Sequence, residues 1–222
     1  MADTRYTKIA MKNLIIIGAG GFGREVLCWA LDVEPSQNEW RVGGFLDDNL
    51  AALDGYMLAH QIIGAPSSYV PNGNDVFICA IGHPKTKIKV CRSLQDRGAL
   101  FINLIHPTAL VGRFNKLGCG CILCPRSCIT TNVTLGDFVT LNANSGVGHD
   151  GIVDDGSTIS AYCDITGFAK LGKRVFLGSH AVVLPGKVVG DDAIVGAGSV
   201  VVKNVKPGAT VFGVPAKQIA GF

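Results

Sequence analysis

The 222-residue chain has no long apolar run, no block of like charge and little charge overall. Its longest apolar stretch near the start, Leu14 to Ile17, gives way at once to glycines. That is too short for a signal core or a spanning helix. No membrane association is expected, and the predicted location is the cytoplasm. Charged residues amount to 17%, the net charge is only +3, and Lys and Arg are dispersed. The electrostatic footprint of a nucleic-acid binder is missing, so no nucleic-acid partner is expected. Nine prolines are scattered through a composition that is 48% hydrophobic, which excludes a disordered chain. Residues 1–12 are polar and read as a frayed lead.

Cysteine, by contrast, is not scarce. Eight are present, and Cys119, Cys121, Cys124, Cys128 and Cys163 crowd together. The C-x-C-x-x-C-x-x-x-C spacing is not that of a zinc ribbon, and no histidine lies near it. Buried, reduced thiols are expected here, with no metal.

The chain has two rhythms. Residues 12–104 alternate strand and helix: "NLIIIGAGGFG" is a short buried strand running into a glycine turn. "REVLCWAL" follows with helical spacing, Val26, Leu27, Ala30 and Leu31 sharing one side. "WRVGGFLDD" and "DVFICAIG" read as two further strands. "PKTKIKVCRSLQDRG" reads as a helix with Ile88, Val90, Cys91 and Leu94 inward and Gly98 as its stop. This order predicts a small parallel α/β sheet of Rossmann character.

From Ile105 the period becomes six. Ile105, Val111, Leu117, Leu123, Ile129, Leu135, Leu141, Val147, Val153, Ile159, Ile165, Leu171, Leu177, Val183, Val189, Val195 and Val201 are all aliphatic, with no slip. The following residue is often glycine, as at Gly112, Gly136, Gly148 and Gly178, and is read as easing the backbone through tight turns. Two places before each aliphatic residue small side chains dominate, among them Cys121, Ser127, Ser145, Ser157 and Cys163. Neither a helix nor a plain alternating strand produces a strict six. A hexapeptide β-helix does: three short strands make one triangular coil, and one aliphatic residue per strand fills the prism. An all-β parallel β-helix is therefore expected over 105–222. On the small inward register, Cys121 and Cys163 read as packing residues.

With "IIIGAGGFGREV", "FLDD", "AIG", "IHPTA", the unbroken hexads, "VGHD" and "VFGVPAK" in place, the sequence resembles the left-handed β-helix acyltransferases. More narrowly, it resembles the bacterial sugar acetyltransferases that include sialic acid O-acetyltransferase and the UDP-4-amino-sugar N-acetyltransferases. The resemblance covers nearly the whole chain. It implies left-handed coils, a homotrimer with active sites between subunits, and acetyl-CoA as co-substrate.

By that resemblance His149 is the general base that removes a proton from an amine or hydroxyl attacking the thioester. A neutral imidazole suits the task and can return the proton to the departing thiolate. Asp150 follows it as a candidate catalytic partner. Because neighbouring strand side chains point to opposite faces, Asn142, Asn144 and Asp155 stand as other candidates to orient the ring. One coil on, 18 residues from His149, lies Gly167, the match to the residue whose N–H meets the acetyl carbonyl; its missing side chain leaves room for the thioester. The resemblance adds Ser179 and Ala197 to the coenzyme groove, with Lys203, Pro215 and Lys217 toward its phosphates or adenine. Many N-acetyltransferase relatives carry a second histidine nine residues after the first; here Thr158 stands there and is assigned to substrate binding. His106 is expected to pack the junction between the two regions, and His180 is a weaker interface candidate.

Gly18, Gly20, Gly21 and Phe22 belong to a G-x-G-x-x-G that follows a strand and opens a helix, the context that makes a phosphate site credible. Asp47 stands where a ribose-binding acid would, and Gly82 ends the third strand beside the loop. Alone, this pattern reads as NAD. The unit is short for a full dinucleotide fold, and by resemblance it holds the UDP of a nucleotide sugar. The leading reading is thus an acetyl-CoA-dependent N-acetyltransferase acting on a UDP-linked amino sugar. A sugar O-acetyltransferase of the sialic acid type is the alternative, and an NAD-dependent nucleotide-sugar oxidoreductase the remote one.

Overall fold

The computed structural model describes residues 11–219 except residue 38. Most of the expected polar lead and the last three residues of the coil region lie outside the described residues.

Strands β1 (Lys12–Ile17), β2 (Trp40–Leu46), β3 (Ile62–Gly64) and β4 (Asp75–Cys79) form one parallel sheet in the order β3-β2-β1-β4. Leu14 to Ile17 are all buried because helices cover both faces, which is why β1 reads as a continuous apolar run. Helix α1 (Gly21–Val33) packs with Leu14 and Ile16, and helix α2 (Pro84–Asp96) with Ile15 and Ile17. β3 escaped the sequence reading: three half-exposed residues on a sheet edge carry no usable period. The buried stripe of α1 is Gly23, Val26, Leu27 and Ala30, while Leu31 is exposed. That of α2 is Pro84, Lys87, Cys91 and Leu94. Ile88 and Val90 are only partly buried, because a lysine holds the place that pattern would give to an apolar residue.

From Leu104 to Val201 the chain makes seventeen two-residue strands. Each predicted aliphatic residue is the second of its strand, and from Leu123 onward every one is buried. Partners are 18 residues apart, as in Thr158↔Phe176 and Gly146↔Asp164. Three sheets result. Face A runs from Lys116–Leu117 to Val188–Val189, face B from Leu104–Ile105 to Ile194–Val195, and face C from Leu110–Val111 to Val200–Val201. The first coil is open-ended, and Val111 stays 42% exposed. After Val201 the pairing shortens, Val189 meeting Val205 and Val195 meeting Val211. A hairpin of Thr210–Phe212 and Lys217–Gln218 closes face B.

The small inward register packs as expected, with Cys121, Ser127, Ser145, Ser157 and Cys163 buried. The glycines after the aliphatic residues act differently from the expectation. Left-handed φ values fall two residues later, at Asn132, Asp150 and Phe168 among others. Gly148 is needed for close approach: a Cβ there would stand 2.8 Å from the Gly167 nitrogen of the next coil.

The α/β unit sits on face B, whose outward residues Leu104, Ile122, Thr140 and Thr158 are all buried. His106 joins the two regions as expected, its ring 3.2 Å from Asp32 of α1.

Candidate active site

His149 and Asp150 occupy the corner between Gly146–Val147 on face C and Ile152–Val153 on face A. The corner is a two-residue turn with Asp150 at φ +60°, so the strand rule that separates neighbouring side chains does not apply. His149 Nδ1 lies 2.9 Å from Asp150 Oδ2. A carboxylate only accepts, so Nδ1 donates, and in the neutral ring Nε2 keeps its lone pair. Asn142, Asn144 and Asp155 are engaged elsewhere, with the amide of Ala143, the guanidinium of Arg126 and the amide of Asp137.

Gly167 lies directly one coil on. A Cβ on it would stand 2.6 Å from His149 Nε2 and 2.7 Å from Cε1. The imidazole therefore rests on a bare α-carbon that only glycine supplies. Among the described residues the Gly167 N–H donates to no protein group. Beside the ring stands Phe168, perpendicular at 88° with centroids 5.0 Å apart. The sequence reading missed Phe168, although its position, one coil plus one residue from His149, was countable. The imidazole stays 55% exposed on this edge.

The other predicted residues separate into groups. Lys203 continues the His149–Gly167 edge two coils further, about 10 Å beyond Gly167 at one strand spacing per coil, and is exposed. Ser179 and Ala197 sit on the opposite edge of face C, at the corner from face B, next to the stacked pair Tyr162 and His180. Pro215 and Lys217 are exposed in the closing hairpin region. Thr158 is not open to a ligand in this chain: it is buried on face B, and its Oγ1 accepts from Lys87 Nζ at 2.8 Å. Lys87 also donates to Thr140 Oγ1 and the Ser157 carbonyl. Burial pushes this ammonium down to about 8. Its place in the buried stripe of α2 was the only hint, and a lysine there reads as solvent-facing until the contact is seen.

In the α/β unit the glycine turn has the expected form. Gly18 takes φ +96°, and a Cβ on Gly23 would collide with the Gly18 carbonyl. Gly20 caps α1 with no side-chain bond, and no acid stands in the first turn, so no side chain of the helix itself satisfies its first amides. Phe22 packs edge-on to Trp29. Gly18 lies against Ala80 and Ile81, which brings the β4 loop carrying Gly82 beside the turn. Asp47 accepts from the Ala19 and Asn49 amides at 2.7 and 2.9 Å. It holds the glycine turn in place, a role the ribose assignment did not include. Among the described residues no cluster of three potential metal ligands occurs.

An imidazole–carboxylate pair thus stands at the corner of a parallel hexapeptide coil, against the bare α-carbon of Gly167, a class of site with the parts for moving a proton. Comparison with known proteins narrows the class. Residues 13–94 match the PglD N-terminal domain. GDP-perosamine N-acetyltransferase of Escherichia coli O157:H7 is 30% identical over 217 residues, covering 92% of this chain and 95% of that protein. Among solved structures, the acetyltransferase domain of PglB from Neisseria gonorrhoeae has a TM-score of 0.86 at 26% identity, covering 94% of this chain and all of that one. PerB from Caulobacter crescentus, in complex with CoA and GDP-perosamine, has a TM-score of 0.84 at 28% identity, covering 95% and 99%. The chain belongs to the left-handed β-helix sugar acetyltransferases, the acetyl-CoA-dependent family that includes GDP-perosamine N-acetyltransferase.

Proposed function

We propose that the protein moves the acetyl group of acetyl-CoA to the amino group of a nucleotide-linked amino sugar, with His149 as general base. The observation that carries this reading is the imidazole bonded to Asp150 through Nδ1 and seated on the bare α-carbon of Gly167. Nε2 takes the proton as the sugar nitrogen bonds to the acetyl carbon. The Gly167 N–H donates to the carbonyl oxygen as it gains negative charge. Cleavage of the carbon–sulfur bond releases the thiolate, which takes the proton from His149. Asp150 fixes the tautomer throughout.

We read residues 12–104 as a Rossmann-like unit for the nucleotide sugar and 105–222 as the acyl-transfer unit. The open amides at Gly20–Phe22 support a diphosphate at that turn. A cleft of about 290 Å³ is lined by Asp48, the residue after Asp47, with Ser67 and with Thr86 and Lys89 of α2. The family resemblance favours UDP; the relatives named above carry GDP-perosamine in their names, so both nucleotides enter the assay.

We also propose a homotrimer in the cytoplasm. The first four rungs of face B are covered by the chain's own α/β unit, and face A carries Lys116 and Lys170 outward beside Ile152 and Val188. Face C shows Leu110, Cys128, Gly146, Val182 and Val200, with Asp164 as its one charge. Turning face C toward a threefold axis sets the His149–Gly167 edge against the next copy's Ser179–Ala197 edge. That would wall in an imidazole otherwise open to water, and closed symmetry suits it.

Thiol release from acetyl-CoA, measured with UDP- and GDP-linked amino sugars and free sialic acid, tests the reading beside His149→Ala. Release with a nucleotide amino sugar, lost in the variant, is expected. Full turnover by the variant overturns the assignment of the base, and acetylation of hydroxyl acceptors alone replaces N- with O-transfer.

A further inference from the structure

We infer that Phe168 is a positioning residue for the His149 imidazole, an assignment that rests on His149 being the base. The Asp150 contact holds the ring at one atom only. A single hydrogen bond leaves a planar ring free to pivot about its donor–acceptor line, and Gly167 closes just the side beneath. The Phe168 ring stands perpendicular to the imidazole with centroids 5.0 Å apart and supplies a second, apolar contact to it. An edge-on pair of this kind has a preferred geometry, so the contact selects one orientation of the imidazole and with it the direction of the Nε2 lone pair.

The backbone is built to deliver that ring. Phe168 sits at φ +61°, the left-handed corner position directly above Asp150, and its N–H donates to the His149 carbonyl at 2.9 Å. Gly186 occupies the same corner one coil further, so nothing from that side competes for the space. Phe168 is 56% exposed. A phenyl group so placed adds little to the core, and its closest aromatic partner is the base.

Steady-state kinetics and thermal unfolding of Phe168→Ala, Phe168→Tyr, Asp150→Asn and the Phe168→Ala/Asp150→Asn double variant test the assignment, with His149→Ala alongside. The expected result is a roughly 2- to 12-fold lower kcat for Phe168→Ala, with KM for acetyl-CoA, KM for the sugar and Tm unmoved. Phe168→Tyr retains kcat. The double variant departs from the product of the singles, because both residues act on one ring. An unchanged kcat in Phe168→Ala, or a loss confined to KM for acetyl-CoA, overturns the positioning role. Retained turnover in His149→Ala instead overturns the base on which the role depends.

Discussion

The two regions of this chain encode their sites by different rules. In the coil, a residue's spatial neighbour is found by adding 18, so His149 and Gly167 could be paired by counting and the structure stacks them. In the α/β unit no such arithmetic exists, and Asp47 meets the glycine turn across 28 positions of sequence through a tertiary contact. A periodic scaffold states its geometry in the sequence; an aperiodic one states its motifs but leaves their partners open. The comparison is sharpest where the two regions touch, because Lys87 and Thr158 each belong to one rule and meet the other.

The largest effect tests the periodic rule at its chemical centre. His149→Ala is expected to lower kcat by roughly 10²- to 10⁴-fold, the usual contribution of a positioned base, with the Tm unchanged because the ring lies exposed on an edge. Thiol release under saturating acetyl-CoA measures it. A loss under threefold would mean that counting by coils paired two residues that do no chemistry together.

Next comes the core of the prism. Ile159 is fully buried in the middle of the stack, whereas Val111 lies on the open first coil, 42% exposed. Both hold the same place in the hexad. Ile159→Ala is expected to cost about 2–5 kcal/mol and Val111→Ala under about 1 kcal/mol, read from urea midpoints. Equal losses would show that the hexad register alone sets the energetics, independent of depth in the stack.

What could be read in advance follows the same division. The seventeen strands were legible because a side chain that must enter a narrow prism every sixth residue leaves no freedom in type. The corner geometry was not. Asp150 was one candidate among several because a strand rule separates neighbouring side chains, yet the turn places it 2.9 Å from His149, since a left-handed φ redirects the side chain. The glycines were noticed, but their reason was misjudged: Gly148 avoids a collision with the coil above and needs no left-handed φ. Ser179 and Ala197 were grouped with Gly167, and one chain puts them on separate edges; only a second copy could unite them. β3 and the contact between Lys87 and Thr158 depend on packing between regions, which no local pattern reports.

Lys87 gives the third test, and its sign is definite. Burial moves its ammonium from 10.5 down to about 8, so the folded chain gives up this proton at a lower pH than the unfolded chain. Between those values the unfolded state binds more protons, and stability rises with pH. Below about 8 the buried charge is a cost of roughly 3 kcal/mol relative to that limit. Cys79, Cys91 and Cys121 are the titratable groups facing it from β4, α2 and the coil. Lys87→Met lacks the charge, and any loss from the unpartnered Thr140 and Thr158 hydroxyls is the same at every pH. The stability of wild type relative to Lys87→Met should therefore improve by up to ~3 kcal/mol from pH 7 to pH 10. Parallel pH profiles for the two proteins would mean that Lys87 holds its proton as tightly in the folded chain as in the unfolded one, and that burial does not depress it.

The smallest effect bears on the residue that the two rules dispute. Thr158 stands nine residues after His149, where the family resemblance leads one to expect a second histidine, and motif logic alone would give it to the substrate. The contact with Lys87 gives it to the junction. Thr158→Ser keeps the hydroxyl oxygen that accepts from Lys87 and removes one methyl group, so a stability loss of about 1 kcal/mol is expected. The kcat should stay within twofold of wild type, because the side chain is only 6% exposed and faces α2, on a different face from the His149 corner. Kinetics at saturating acetyl-CoA and sugar separate the alternatives. A tenfold fall in kcat with an unchanged urea midpoint would return Thr158 to the reaction, and would mean that α2 lifts away from face B when the acceptor binds.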